Sequence, residues 1–186
     1  MIEVVEYDPA WRQRFHALRR EYANAMADAG VPVVAIEHVG STSVPGLAAK
    51  PIIDCDIVVA EPDIAAASKV LVDFGFKPLG EQGIPSRWAF KEPERLAGTN
   101  TYVVVDGSLS LRNHLAVREI LRSDPDLRAR YASVKRRVGA VAADIDEYGR
   151  GKNAMVQQIL AAAGLTEAER VSIGANQVPS HDEVLR

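Results

Sequence analysis

The chain has 186 residues, 47% of them hydrophobic and 25% charged, with a formal net charge of −3. That is enough for one domain with a core that needs no cross-links, and it excludes disorder throughout and the electrostatic excess of a general nucleic-acid binder. The single cysteine excludes an internal disulfide and a multi-cysteine zinc site. No apolar run approaches the roughly 20 residues that span a bilayer, and the acidic start Met1-Ile2-Glu3 is not a signal peptide, so a cytoplasmic location with no membrane partner is expected.

Asp8-Pro9-Ala10-Trp11 reads as a capped helix start, and Trp11, Phe15, Leu18 and Tyr22 mark one apolar face at spacings of three and four. Gly30 and Pro32 end that helix, and the β-branched run Val33 to Val39 predicts a strand. Gly40 to Pro51 is loop or short helix, followed by a second strand over Ile52 to Val59. Pro62 to Phe76 predicts an amphipathic helix buried through Ile64, Ala67, Leu71 and Phe74, with Gly75 and Lys77-Pro78 as stop signals. Arg87 to Lys91 and Asn100 to Val105 read as strands joined by a turn containing Pro93 and Gly98. Three helices then follow: Ser108 to Arg122, one opened by Asp124-Pro125 through Tyr131, Val134 and Val138, and one over Gly151 to Ala163. From Thr166 the chain is polar and aperiodic, so residues 1–165 are expected to form the domain and residues 166–186 a flexible or partner-bound tail. Alternation first and helices later imply an α/β (α+β) fold, a mixed sheet with a helical C-terminal half.

Asp54 and Asp56 stand two apart on a predicted strand, so both carboxylates leave the same face while Ile53, Cys55 and Ile57 point into apolar packing. Two neighbouring aspartates raise one another's pKa, and a cation is needed to offset them; Mg²⁺, which favours carboxylate and phosphate oxygens, is the economical one. Upstream, Gly40 permits close backbone approach, and Ser41, Thr42 and Ser43 offer donors to phosphate oxygens. Strand, Gly-Ser turn and Asp-x-Asp strand together give the layout of metal-assisted nucleotidyl transfer. Each piece also has an ordinary reading: a turn, a solvated strand face, a hydrogen-bonded His38, a surface Lys50. The residues alone leave both open.

The run His38 to Asp54, HVGSTSVPGLAAKPIID, resembles the signature of the GrpB family. Similarity continues in Tyr7-Asp8-Pro9-x-Trp11, in Gly83-Ile84-Pro85, in Arg87 to Lys91, in Arg118-Glu119 with Leu121-Arg122, and in Tyr131, Lys135, Tyr148 and Lys152, covering about residues 2 to 163. The resemblance implies a nucleotidyltransferase-like fold with Gly40-Ser41 and Asp54-x-Asp56 in the places of that superfamily's Gly-Ser and acid pair. It carries no settled reaction, although fusion of family members to a coenzyme A biosynthesis kinase points toward nucleotide metabolism. Two departures stand out. The strand Asn100 to Val105 holds no third carboxylate, leaving only Asp106 at its end, and Asn100-x-Tyr102 occupies the place of the family's His-x-His. Neither side chain replaces an imidazole as metal ligand or proton shuttle.

The expected activity is Mg²⁺-dependent transfer from a nucleoside triphosphate to a small-molecule acceptor. Asp54 and Asp56 would be catalytic and metal-binding; Gly40, Ser41, Thr42, Ser43, Lys50, Arg118 and Lys152 would bind the nucleotide; His38, Arg87, Asn100 and Tyr102 are further cleft candidates. The alternative is a catalytically degenerate nucleotide- or anion-binding module with a sensing or scaffolding role. A third reading gives the tail, with Val171, Ile173 and Val178, a docking role. The charge balance speaks against a nucleic-acid partner, and the oligomeric state is open.

Overall fold

Alternation of β-branched and polar residues builds five strands into one mixed sheet, in a computed structural model that describes residues 2–175. The strands are β1 (Ala35–Val39), β2 (Ile53–Val59), β3 (Lys77–Gly80), β4 (Arg87–Lys91) and β5 (Thr99–Val105), in the spatial order β1-β2-β5-β4-β3. Only the central pair β2 and β5 is parallel; every other neighbour runs antiparallel.

Helix α1 (Ala10–Asp28) buries the expected Trp11, Phe15, Leu18 and Tyr22, and adds Met26 one turn on. With α2 (Ile64–Asp73) it covers the sheet face carrying Ile53, Cys55 and Ile57, forming the largest core cluster. Cys55, the one cysteine, is fully buried at the middle of β2. Helix α3 (Leu109–Ser123) covers the opposite face through Leu111 and Leu115 against Val58 and Val104. Helices α4 (Pro125–Val141) and α5 (Ile145–Ala162) close a second core over Val44, Leu47 and Ala48 of the loop between β1 and β2. The predicted cap forms, with Leu127 N–H donating to Asp124 Oδ1 at 2.8 Å, and Ser108 caps α3 in the same way, Leu111 N–H donating to its Oγ at 3.3 Å.

Three elements depart from the sequence expectation. Lys77-Pro78 does not only stop α2 but lies in β3, an exposed edge strand where a missing N–H costs no ladder bond. Helix α5 starts six residues earlier than Gly151, capped by Asp144. Gly151 is a packing residue: a Cβ there would come within 2.6 Å of Val138 Cγ1, so glycine lets α4 and α5 approach. Within the expected tail, Glu167–Ala175 forms helix α6, opened by a reciprocal cap in which Thr166 N–H donates to Glu169 Oε2 and Glu169 N–H to Thr166 Oγ1. Ile173 of α6 is buried, Val171 is exposed, and Val178 lies outside the described residues.

Candidate functional site

The period of two in β2 brings Asp54 and Asp56 to one face, where α3, α4 and α5 close a cleft of about 410 Å³. Asp54 lies opposite Asn100 of β5, whose Nδ2 donates to Asp54 Oδ1 at 2.8 Å. Burial raises the Asp54 pKa, and the Asp56 charge adds to this, against the Asn100 hydrogen bond and His114. Gly40, with φ +68°, brings the turn after β1 against this carboxylate; a Cβ there would overlap Asp54 Oδ2.

Asp56 is fully buried behind the cleft wall. Its Oδ2 accepts a 2.7 Å hydrogen bond from His114 Nδ1, and its Oδ1 has no partner. Burial opposes the imidazolium of His114, but the adjoining Asp56 carboxylate outweighs it and holds the pKa above the usual histidine value. The cation expected to offset the aspartate pair therefore has a counterpart in the protein itself.

Across the cleft stand three lysines: Lys50 before β2, Lys135 on α4 and Lys152 on α5. None forms an ion pair among the described residues. Lys135 is 2% exposed, its Nζ without a hydrogen-bond partner and 4.5 Å from the Tyr131 ring. Burial, then the charges of Lys152 and Arg136, push its pKa down to about 6. Lys50 and Lys152 share the Tyr148 ring at 5.7 and 5.2 Å, and burial lowers both pKa values. Converging, desolvated lysines that form no ion pair among the described residues, with Asp54 as the carboxylate across the cleft, make a site that an anion stabilises.

Of the residues singled out in the sequence, Gly40, Ser41, Lys50, Asp54, Asn100, Tyr102 and Lys152 line this cleft. Thr42 and Ser43 turn inward, and their hydroxyls donate to Ile52 O at 2.9 Å and Gly40 O at 2.6 Å, so they brace the turn. His38 faces the other side of the sheet, stacked 4.6 Å from Phe15, and burial lowers its pKa to about 4. Arg87 lies on the aspartate face but stacks 4.6 Å from the Tyr102 ring, its Nε buried without a partner. Arg118 is outside the cleft: its Nη1 donates to Glu37 Oε2 at 2.7 Å and His38 O at 2.9 Å, and its Nε to Glu119 Oε1 at 2.8 Å. Matching the family helix placed it correctly on α3 and said nothing of which side of α3 it takes. Asp106 follows β5 beside Val59, at the opposite end of the strand pair from Asp54, so it adds no third carboxylate. The sequence reading passed over His114. Its signal is the spacing His114, Val117, Leu121, which sets an imidazole on the inward stripe of α3.

Asp54 and Asp56 fit Mg²⁺ as a two-carboxylate site. Asp56 Oδ1 is an orphaned buried acceptor on the same strand face as Asp54, and an ion of this kind completes its shell with water and phosphate oxygens. The protein offers no more than that: among the described residues no three His, Cys, Asp or Glu side chains converge as a metal cage.

Comparison with known proteins follows this geometry. The GrpB protein family matches residues 1–162. A UPF0157 protein of Bacillus subtilis is 30% identical over 158 residues, 84% of this chain; the chain spans only 45% of that relative's length. The crystal structure of GrpB from Enterococcus faecalis superposes with a TM-score of 0.75 at 29% identity, covering 87% of this chain and 96% of that one. A chain of the GLD-2/RNP-8 complex superposes with a TM-score of 0.54 at 15% identity, covering 84% of this chain and 61% of its own, a likeness of fold to the nucleotidyltransferases. No helix among the described residues is long and apolar enough to cross a membrane.

Proposed function

This chain belongs to the GrpB family, and we propose that its cleft binds the polyphosphate of a nucleoside triphosphate and transfers the nucleotidyl group to a small-molecule acceptor. The observation that carries the reading is the convergence of Lys50, Lys135 and Lys152, unpaired, across the cleft from Asp54 and the Gly40-Ser41 turn. The nucleotidyltransferase-like fold agrees with a nucleotide ligand.

Lys135 and Lys152 would hold the β- and γ-phosphates, with Lys50 balancing charge nearer Asp54. Ser41 presents its hydroxyl at the cleft wall, and Gly40 keeps the turn close enough for the backbone to face the phosphates. The acceptor oxygen attacks the α-phosphorus, the bond from that phosphorus to the β-bridging oxygen breaks, and pyrophosphate leaves. Asp54, which lines the cleft, orients the acceptor hydroxyl, and the acceptor proton leaves to water. Mg²⁺, when held by Asp54 and Asp56, would neutralise charge on the α-phosphate and the leaving pyrophosphate. Asn100 and His114 fix the two carboxylates for this task.

The test is thermal stabilisation by ATP, GTP, CTP and UTP, each with and without Mg²⁺, followed by release of pyrophosphate when acceptors are added. A ligand at a hundred times its Kd stabilises the native state by about 2.7 kcal/mol. Stabilisation by a triphosphate that is lost in K135M/K152M is expected; no stabilisation by any of the four overturns the reading. A second reading, an anion-binding module without turnover, is favoured by the bonds that His114 and Asn100 already make to both aspartates. It predicts the same binding with no pyrophosphate release, and indifference to Asp54→Asn.

A further inference from the structure

Although the whole chain carries a net charge of −3, a groove of about 790 Å³ on the other side of the Gly40–Ser43 turn has the opposite sign. It follows the edge strand β1 between α1 and α3. Arg12, His16 and Arg19 line it from α1 at spacings of four and three, all three exposed, so they form one stripe. Among the described residues neither Arg12 nor Arg19 has a carboxylate within ion-pairing distance.

The facing wall is also cationic, and backbone carbonyls hold much of it in place. Arg122 donates through Nε and Nη2 to Ser43 O at 3.2 and 2.8 Å, and Arg128 through Nη1 to Leu121 O and Arg122 O at 3.1 and 3.2 Å. A carbonyl orients a guanidinium without cancelling its charge. The acids at hand are Glu37, engaged by Arg118, and Glu119, which contacts Arg118 and Arg122 from an exposed position. The depressed pKa of His38 owes part of its depression, after burial, to Arg122 and Arg118. A merely solvated helix face explains the α1 stripe alone; it does not explain arginines from three helices gathered around one concavity.

We propose that this groove is a second anion site, separate from the cleft, for an extended ligand carrying several phosphate groups. Arg12 and Arg19 stand two turns apart, about 10 Å along the helix, too far to clasp one phosphate and suited to successive charges on a linear anion. The chemistry is shared by a short single-stranded nucleic acid and a free polyphosphate. The site does not depend on the nucleotidyl-transfer reading.

The experiment follows fluorescence anisotropy of a labelled eight-nucleotide oligothymidylate at low salt, and binding of inorganic tripolyphosphate by calorimetry, on the full chain. Both are measured in the K135M/K152M background, which removes the cleft's binding lysines, with and without R12Q/R19Q. The expected result is at least a tenfold loss of affinity on adding R12Q/R19Q for one of the probes. If the responsive probe is the oligonucleotide, its salt dependence also falls by about two phosphate contacts in R12Q/R19Q, and a strand is the source. If only tripolyphosphate responds, the source is a free polyphosphate. No binding of either probe, or binding indifferent to R12Q/R19Q, overturns the proposal.

Discussion

The cleft and the groove lie on opposite sides of one short turn, and both gather positive charge by different means. The cleft uses lysines buried against tyrosine rings and without ion pairs among the described residues, so their charge is conditional: burial pushes the Lys135 pKa down to about 6, and an anion beside it would raise it. The groove uses exposed or carbonyl-tethered arginines, charged at every relevant pH. A desolvated lysine answers a ligand by changing its own state; a solvated arginine is always ready and discriminates little. The same net sign therefore suits a selective pocket on one side of the turn and a permissive surface on the other.

The sharpest test of this contrast is K135M/K152M, which is expected to weaken triphosphate binding by about a hundredfold or more, because each ammonium–phosphate contact in a low-dielectric site is worth on the order of 1.5–3 kcal/mol. Oligothymidylate binding by the groove should survive in that variant. Next in size, Gly40→Ala forces a methyl group into Asp54 Oδ2 at a positive φ. Calorimetry should find Tm lower by about 5–10 °C, for a cost of about 2–3 kcal/mol, with the triphosphate response gone.

The pH profile separates the two sites directly. Free Lys135 is neutral above about pH 6 and becomes protonated in the bound complex, so triphosphate affinity should fall as pH rises from 6 to 8, by up to about tenfold per unit. K135M should flatten the profile, and the part of the groove's affinity that depends on Arg12 and Arg19 should not change across that range. A profile identical in wild type and K135M would break the contrast.

Stability carries the same signature in reverse. The folded pKa of Lys135 lies far below its unfolded value, so the buried amine destabilises the protein fully at pH 6 and below, and the penalty fades as pH rises toward 10.5. K135M should therefore raise Tm by about 5 °C near pH 6, with the gain shrinking in alkaline buffer. Smallest of all, R12Q/R19Q should leave Tm within about 1 °C, since neither side chain has an ion-pair partner among the described residues.

Much of this arrangement was legible in the sequence where local rules decide the outcome. Period two set Asp54 and Asp56 on one face, and the Gly-Ser turn announced a close backbone approach. Asp124 capped its helix as read. Tertiary choices were not legible. Pro78 looked like a terminator because nothing local says that its strand lies at a sheet edge. The last helix was read as starting at Gly151, because nothing local says that this glycine lies inside a helix and leaves room for Val138 of α4. His114 meets Asp56 across 58 residues of sequence, and Arg118, one turn further along the same helix, turns instead to Glu37. Thr166 and Glu169 cap α6 reciprocally within a segment whose polar composition reads as tail.

Cys55 sits between the two aspartates at the centre of β2, with no exposed surface and a thiol pKa raised well above normal by burial and by those neighbours. Because the chain has one cysteine, that sulfur is a built-in clock. A thiol-reactive dye can reach it only when the central strands separate, so its labelling rate counts excursions of the whole sheet and ignores fraying at the surface. Each variant discussed above can be timed in this way without any added probe, and a ligand that occupies the cleft should slow the clock in proportion to how tightly it holds the native fold.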